Sequence, residues 1–350
     1  MTAIPSAHRP FVGALLGLLA ALFVSTPAFA DPAGPTDYKS TVVAVEPPAP
    51  TIRVEVIGGD SFVGLTVEEG TEVTVVGYQG EEYLWFRADG TVLENRNAPS
   101  TYTNEDRYGG AEIPPTADAD AEPDWVAVAS DGSWAWHDHR AHWMQSIRPP
   151  GLSEGDVILE AVIPLAVDGE EVDVTVISVW QPGASSVPVY LGYAVGVAMA
   201  VVAFLLRHGS GFGWTPVPLA VLALVVGGWQ YASLPSETGP RPVWWLLPAL
   251  AVVAAVVAAV AAARGARFVA WAATLVAGAE LAIWGFQKSD GLSAALIPTD
   301  APGWLDRFTV AAAISGGIGL ALVALLELFD VSSRISGSRE PQGSPHPAHR

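Results

Sequence analysis

The stretch WAWHDHRAHWM, residues 134–144, carries three of the chain's seven histidines, together with Trp134, Trp136, Trp143 and Met144. Imidazole nitrogens suit Cu(II) or Zn(II). His137, His139 and His142, with water or the Met144 thioether, could complete a coordination shell, and Asp138 adds a carboxylate. Two His at i and i+2 on a strand share one face, and a short bend after Arg140-Ala141 would bring His142 back to them. The same residues could instead form a hydrogen-bonded network with Asp138 and Arg140, or a catalytic or pH-sensing site.

These side chains need a scaffold that holds them, and the alternation around them reads as β. Residues 40 to 180 are rich in Val, Thr, Ile and Trp at alternating positions. Strands are expected at about 51–57, 61–68 and 71–78. Three Asp-Gly pairs, Asp89-Gly90, Asp131-Gly132 and Asp168-Gly169, sit between strand-like runs and signal hairpins, because a type I′ turn needs positive φ at both central residues. Register around Asp131-Gly132 pairs Trp134 with Ala129 and Trp136 with Ala127. The indoles would then pack into the sandwich over small residues, with His137 and His139 on the other face. The expectation is an all-β sandwich, immunoglobulin-like or cupredoxin-like, of about eight to nine strands over residues 31–186. Residues 97–123 read as a long solvated loop. Its acids Asp118, Asp120 and Glu122 alternate as in a calcium loop but lack that motif's Gly and terminal Glu.

From Val187 the chain turns apolar, with runs at about 189–206, 217–234, 243–263, 268–286 and 308–329, each long enough to cross a bilayer as a helix. An all-α five-helix membrane domain is expected over 187–331, with a disordered cytoplasmic tail over 332–350. Ala311, Ser315 and Gly319 repeat every four residues, so the last span should pack closely against a neighbour. Glu280 is a carboxylate within a span, which suggests a function by default, with Gln230 as its nearest polar candidate. At the other end, His8 and Arg9, an apolar run and Ala28-Phe29-Ala30 fit a signal peptide over 1–30. With the sandwich outside, Arg207, Arg264, Arg267, Arg334, Arg339 and Arg350 lie in the cytoplasm and only Arg241, Lys288 and Arg307 face out, which agrees with the positive-inside rule. The expected localisation is a multi-pass plasma-membrane protein with an extracytoplasmic amino-terminal domain and a cytoplasmic C-terminus.

Composition narrows the chemistry. Cys is absent, which excludes disulfides and thiolate metal centres. Residues 31–186 hold 28 Asp and Glu against 7 Lys and Arg, a charge of −21, whereas 187–350 hold 8 against 9. So acidic a domain repels nucleic acid and concentrates cations.

The order of signal peptide, acidic β-domain with a His cluster and multi-span bundle resembles bacterial copper-handling proteins that join a CopC-type or cupredoxin-like domain to a CopD-type membrane region. The resemblance implies extracytoplasmic copper binding. The stretches YLWFRADGTVLENRNAPSTYTNEDRYG and WHDHRAHWM are similar to a group of actinobacterial membrane proteins. His-x-His-x-x-His also resembles the first half of the metallo-β-lactamase zinc motif, although Ala141 stands where that family carries Asp. The expectation is therefore a membrane-anchored binding protein and not an enzyme, with copper or zinc held by His137, Asp138, His139, His142 and Met144. Two other readings are an envelope protein-interaction module anchored by the bundle, and a transporter using Glu280.

Overall fold

Alternation of β-branched and polar residues along the first half of the chain produces ten strands in two antiparallel sheets. The computed structural model describes residues 32–108, 110–145 and 147–337, with side chains to residue 330. The expected signal peptide and residues 338–350 of the expected tail lie outside the described residues. The larger sheet is ordered β1-β10-β9-β4-β5-β6-β7 and the smaller β2-β3-β8. Their strands are β1 (Tyr38–Glu46), β2 (Ile52–Ile57), β3 (Phe62–Val67), β4 (Val73–Val76), β5 (Glu82–Phe86), β6 (Val92–Asn95), β7 (Trp125–Ala129), β8 (Ser133–Trp136), β9 (Val157–Val167) and β10 (Glu170–Trp180). Inward residues of both sheets, among them Val63, Leu65, Leu84, Phe86, Trp136 and Val174, form one buried core. Burying side chains of this size contributes roughly 1.5–3 kcal/mol each.

Two of the three Asp-Gly signals mark hairpins. Asp168 and Gly169 both take positive φ, and Val167 pairs with Glu170 across them. Around Asp89-Gly90, Phe86 pairs with Val92. Asp131-Gly132 does not make the expected hairpin. β7 pairs with β6, whereas β8 pairs with β3, with Val63 opposite Trp136 and Leu65 opposite Trp134. The chain crosses between sheets here because Gly132 is bonded elsewhere: its N–H donates to Gly90 O and its carbonyl accepts from Val67 N, both at 2.8 Å. A Cβ at Gly132 would meet Val67 O at 2.8 Å, so only Gly fits this crossing. The pairing of Trp134 with Ala129 and of Trp136 with Ala127 is thus replaced, but the facing holds, with Trp136 in the core and Trp134 half-buried against it.

The expected loop 97–123 is only half a loop. Residues Pro99–Thr103 form a short helix, α1, with Pro at its start. Ser100 and Thr101 are buried, whereas residues 110–123 are mostly exposed.

Five helices long and apolar enough to cross a membrane follow. They are α2 (Val187–Leu206), α3 (Val217–Ala232), α4 (Val243–Ala263), α5 (Arg267–Gln287) and α6 (Gly303–Gly337), the last running six residues past the expected boundary. The stripe on α6 packs as its spacing predicts. Ser315 Oγ donates to Tyr193 O, and a Cβ on Gly192, Gly196 or Gly319 would collide with the facing helix. Pro248 sits within α4 and cannot donate to Trp244 O, and Trp284 Nε1 of α5 donates to that carbonyl at 2.8 Å instead.

Sandwich and bundle are joined at one end. Thr36 and Leu296 exchange backbone hydrogen bonds, Asp37 Oδ1 accepts from Ala295 N, and Ala33 and Phe62 pack with Leu234 and Trp244. The loop that makes this contact is itself braced by Arg307, whose guanidinium donates to the carbonyls of Gly291, Ala294 and Ala295. Lys288 pairs with Asp306 at 2.5 Å beside it. Two of the three cations assigned to the outer side are therefore spent on holding this junction.

Candidate functional site

β8 ends at Trp136, so His137 and His139 lie beyond it and strand alternation does not place them. The segment folds instead around Asp138, which is fully buried. Its Oδ1 accepts from the Arg140 backbone N–H at 3.0 Å and from Nε at 2.8 Å; its Oδ2 accepts from Arg140 Nη2 at 2.8 Å and Trp136 Nε1 at 3.0 Å. Burial pushes the carboxyl pKa up, but these donors outweigh it and hold it below the usual range. Arg140 reaches on to Val76 O and stacks on the Tyr78 ring. An ion pair this well donated to fixes the turn and brings His142 back, so that its ring centroid lies 5.4 Å from that of His139 and 6.4 Å from that of His137.

The three imidazoles do not open onto a common point. His137 Nδ1 faces Ser61 O at 2.6 Å while its ring stacks on Phe62. His139 Nε2 faces Asp106 O at 3.0 Å. His142 places Nε2 at 2.6 Å from Arg107 O and Nδ1 at 3.1 Å from Asp138 O. A carbonyl only accepts, so the nitrogen making each short contact carries the proton: Nδ1 in His137, Nε2 in His142. Burial lowers the His142 pKa to about 4. It is therefore neutral at pH 7, and its Nδ1 meets Asp138 O without a proton between them. Among the described residues no group of three His, Asp or Glu side chains is arranged to hold a metal ion. As placed, the residues do not fit the copper that the resemblance implies: Asp138 is consumed by Arg140 and Trp136, and Met144 is half-buried two residues beyond His142.

What the imidazoles do hold is the segment after α1. Arg107 Nη2 donates to the buried Asp60 at 2.6 Å and Nη1 to Ser61 Oγ at 3.0 Å. Tyr78 Oη donates to Asn104 Oδ1 at 2.5 Å and accepts from His139 N at 2.8 Å. Burial raises the Asp60 carboxyl pKa, and Arg107 opposes it. Residues 104–107 and 136–142 thus meet in one polar cluster, clamped against the Gly58–Ser61 turn at the bundle end of the sandwich. Sequence reasoning missed Asp60, Tyr78, Asn104 and Arg107. One signal was available: Arg107 is the only Lys or Arg between residues 97 and 123.

Glu280 and Gln230 are both buried in the bundle. They do not pair with each other: Glu280 Oε2 and Gln230 Oε1 have no hydrogen-bond partner.

Comparison with protein-family profiles, with curated proteins and with solved structures finds no match for this chain.

Proposed function

We propose that the chain is a membrane-anchored extracytoplasmic interaction module, in which the five helices anchor the sandwich and the His-Arg-Asp cluster acts as an internal clamp. One observation carries this reading. His139 and His142 each turn a ring nitrogen onto a carbonyl of the segment after α1, Asp106 O and Arg107 O, and His137 turns one onto Ser61 O, which fixes that segment to the sandwich. A rigid domain, held to its bundle through Thr36 and Leu296, is suited to presenting a surface at a defined distance from the membrane. The test is crosslinking in cells, with a photoreactive amino acid placed in turn at exposed sandwich positions such as Val126 and Ile113. The module reading expects discrete adducts of defined mass at a contiguous set of positions. A full scan of the sandwich without adducts would reject it.

A second reading, copper or zinc capture at His137, His139 and His142, has in its favour only the closeness of the three rings, His142 lying 5.4 Å from His139 and 6.4 Å from His137. Its test is titration of the detergent-solubilised chain with Cu(II), Cu(I) and Zn(II), beside a variant with all three His changed to Ala. Affinities that match between the two proteins would end it.

A further inference from the structure

The outer face of the large sheet carries two tryptophans with no part in the core. Trp85 on β5 and Trp125 on β7 are half-buried, their ring centroids 5.7 Å apart and their planes inclined at 58°. Register explains the trough beside them. Thr74 lies directly between Ala166 and Trp85 across β9-β4-β5, so two small side chains flank one large indole. Gly169 extends the low ground, and Glu72 and Glu82 stand exposed on the rim. The resulting open trough measures about 370 Å³. Indole surface left toward water on a solvent-facing sheet loses burial that the core would provide, which marks it as a binding surface.

The chemistry of the walls selects the ligand. Indole faces attract cations through the ring quadrupole, and carboxylates accept from ammonium or guanidinium donors. The chain already shows this: the Arg87 guanidinium lies 5.5 Å from the Trp85 ring centroid. The domain's charge of −21 over residues 31–186 supplies the long-range attraction. We infer that the Trp85–Trp125 trough is a docking site for a Lys- or Arg-bearing segment of a partner protein, with the cationic head between indole and carboxylates. This rests on the module reading above and names the chemistry of its partner.

The test uses the full chain in nanodiscs of neutral lipid and a fluorescent oligolysine peptide, read by anisotropy. Binding should weaken at least tenfold in Trp85→Ala, Trp125→Ala and the double variant Glu72→Gln/Glu82→Gln, and should vanish for the same peptide with acetylated lysines. Glu154→Gln/Glu160→Gln removes the same charge at the far end of β9 and should cost less than threefold. Arg87→Ala should tighten binding about threefold by clearing the indole, and Arg53→Ala, an equal charge change on the other sheet, should not. Losses that are equal for the trough and Glu154/Glu160 variants would overturn the site in favour of diffuse charge. Retention of the acetylated peptide would overturn it too, as would tighter binding of a neutral oligosaccharide. Discrete crosslinks elsewhere on the sandwich, with the trough silent, would refute this inference and leave the module reading standing.

Discussion

The polar cluster of the sandwich and the trio Glu280, Gln230 and Thr274 within the bundle are buried to similar degrees but are satisfied in opposite ways. In the cluster, even the residues that leave one atom unpartnered, Asp60, Asn104 and Arg107, hold a partner through another. In the bundle, Glu280 Oε2, Gln230 Oε1 and Thr274 Oγ1 have none. The difference follows from backbone supply. Turns at Ser61, Asp106, Arg107 and Asp138 leave carbonyls free for imidazoles, whereas a helix consumes its own carbonyls. Bundle side chains reach a carbonyl where one is freed or shared: Trp284 takes the Trp244 O that Pro248 leaves without its helical donor, and Ser315 shares Tyr193 O. The polar cluster of the sandwich therefore holds the fold together, whereas Glu280, Gln230 and Thr274 burden the bundle.

The strongest way to break this contrast is Arg107→Ala. It strands Asp60, which is fully buried, without its counter-charge. Removing one partner of a buried ion pair costs about 3–5 kcal/mol. Denaturant unfolding followed through the β signal in circular dichroism should show that loss. A change below about 1 kcal/mol would mean that the cluster is not a clamp.

Acid probes the same clamp more gently. The folded chain keeps His142 neutral down to about pH 4, whereas the unfolded chain protonates near 6.5. The unfolded state therefore binds the proton first as pH falls. The contribution is complete above pH 6.5, declines between 6.5 and 4, and is level below that, a total of about 3 kcal/mol. In His142→Phe this segment of the pH–stability curve should flatten, while the fall caused by Asp138 protonation at lower pH should persist. An unchanged slope would place the titration elsewhere.

These residues also show where the sequence was readable. Strand positions and the inward face of Trp134 and Trp136 followed from alternation, and the five helices from apolar run length, because both signals are local. Asp131-Gly132 misled for the same reason: a turn signal does not say whether its two strands stay in one sheet, and Gly90 and Val67 decided that from a distance. The return of His142 to His137 and His139 was legible, but its partners were not. They are backbone carbonyls, which every residue carries, so no residue type announces them. Asp60 likewise gave no sign, since an Asp after Gly58-Gly59 reads as an ordinary turn residue.

The smallest effect separates a structural burden from a working group. If Glu280 only burdens the bundle, Glu280→Gln should leave thermal stability in detergent within about 1 kcal/mol, and Glu280→Leu should raise it by a similar amount. A buried polar atom without a partner costs about 1–3 kcal/mol, part of which the apolar side chain recovers. The transporter reading expects the reverse emphasis: no gain from Leu, and loss of proton or ion uptake into liposomes in both variants. Uptake that survives Glu280→Gln would remove the only residue on which that reading stands. Stabilisation by Leu with unchanged anchoring would show that the bundle tolerates its unpaired acid as the sandwich does not tolerate a broken clamp.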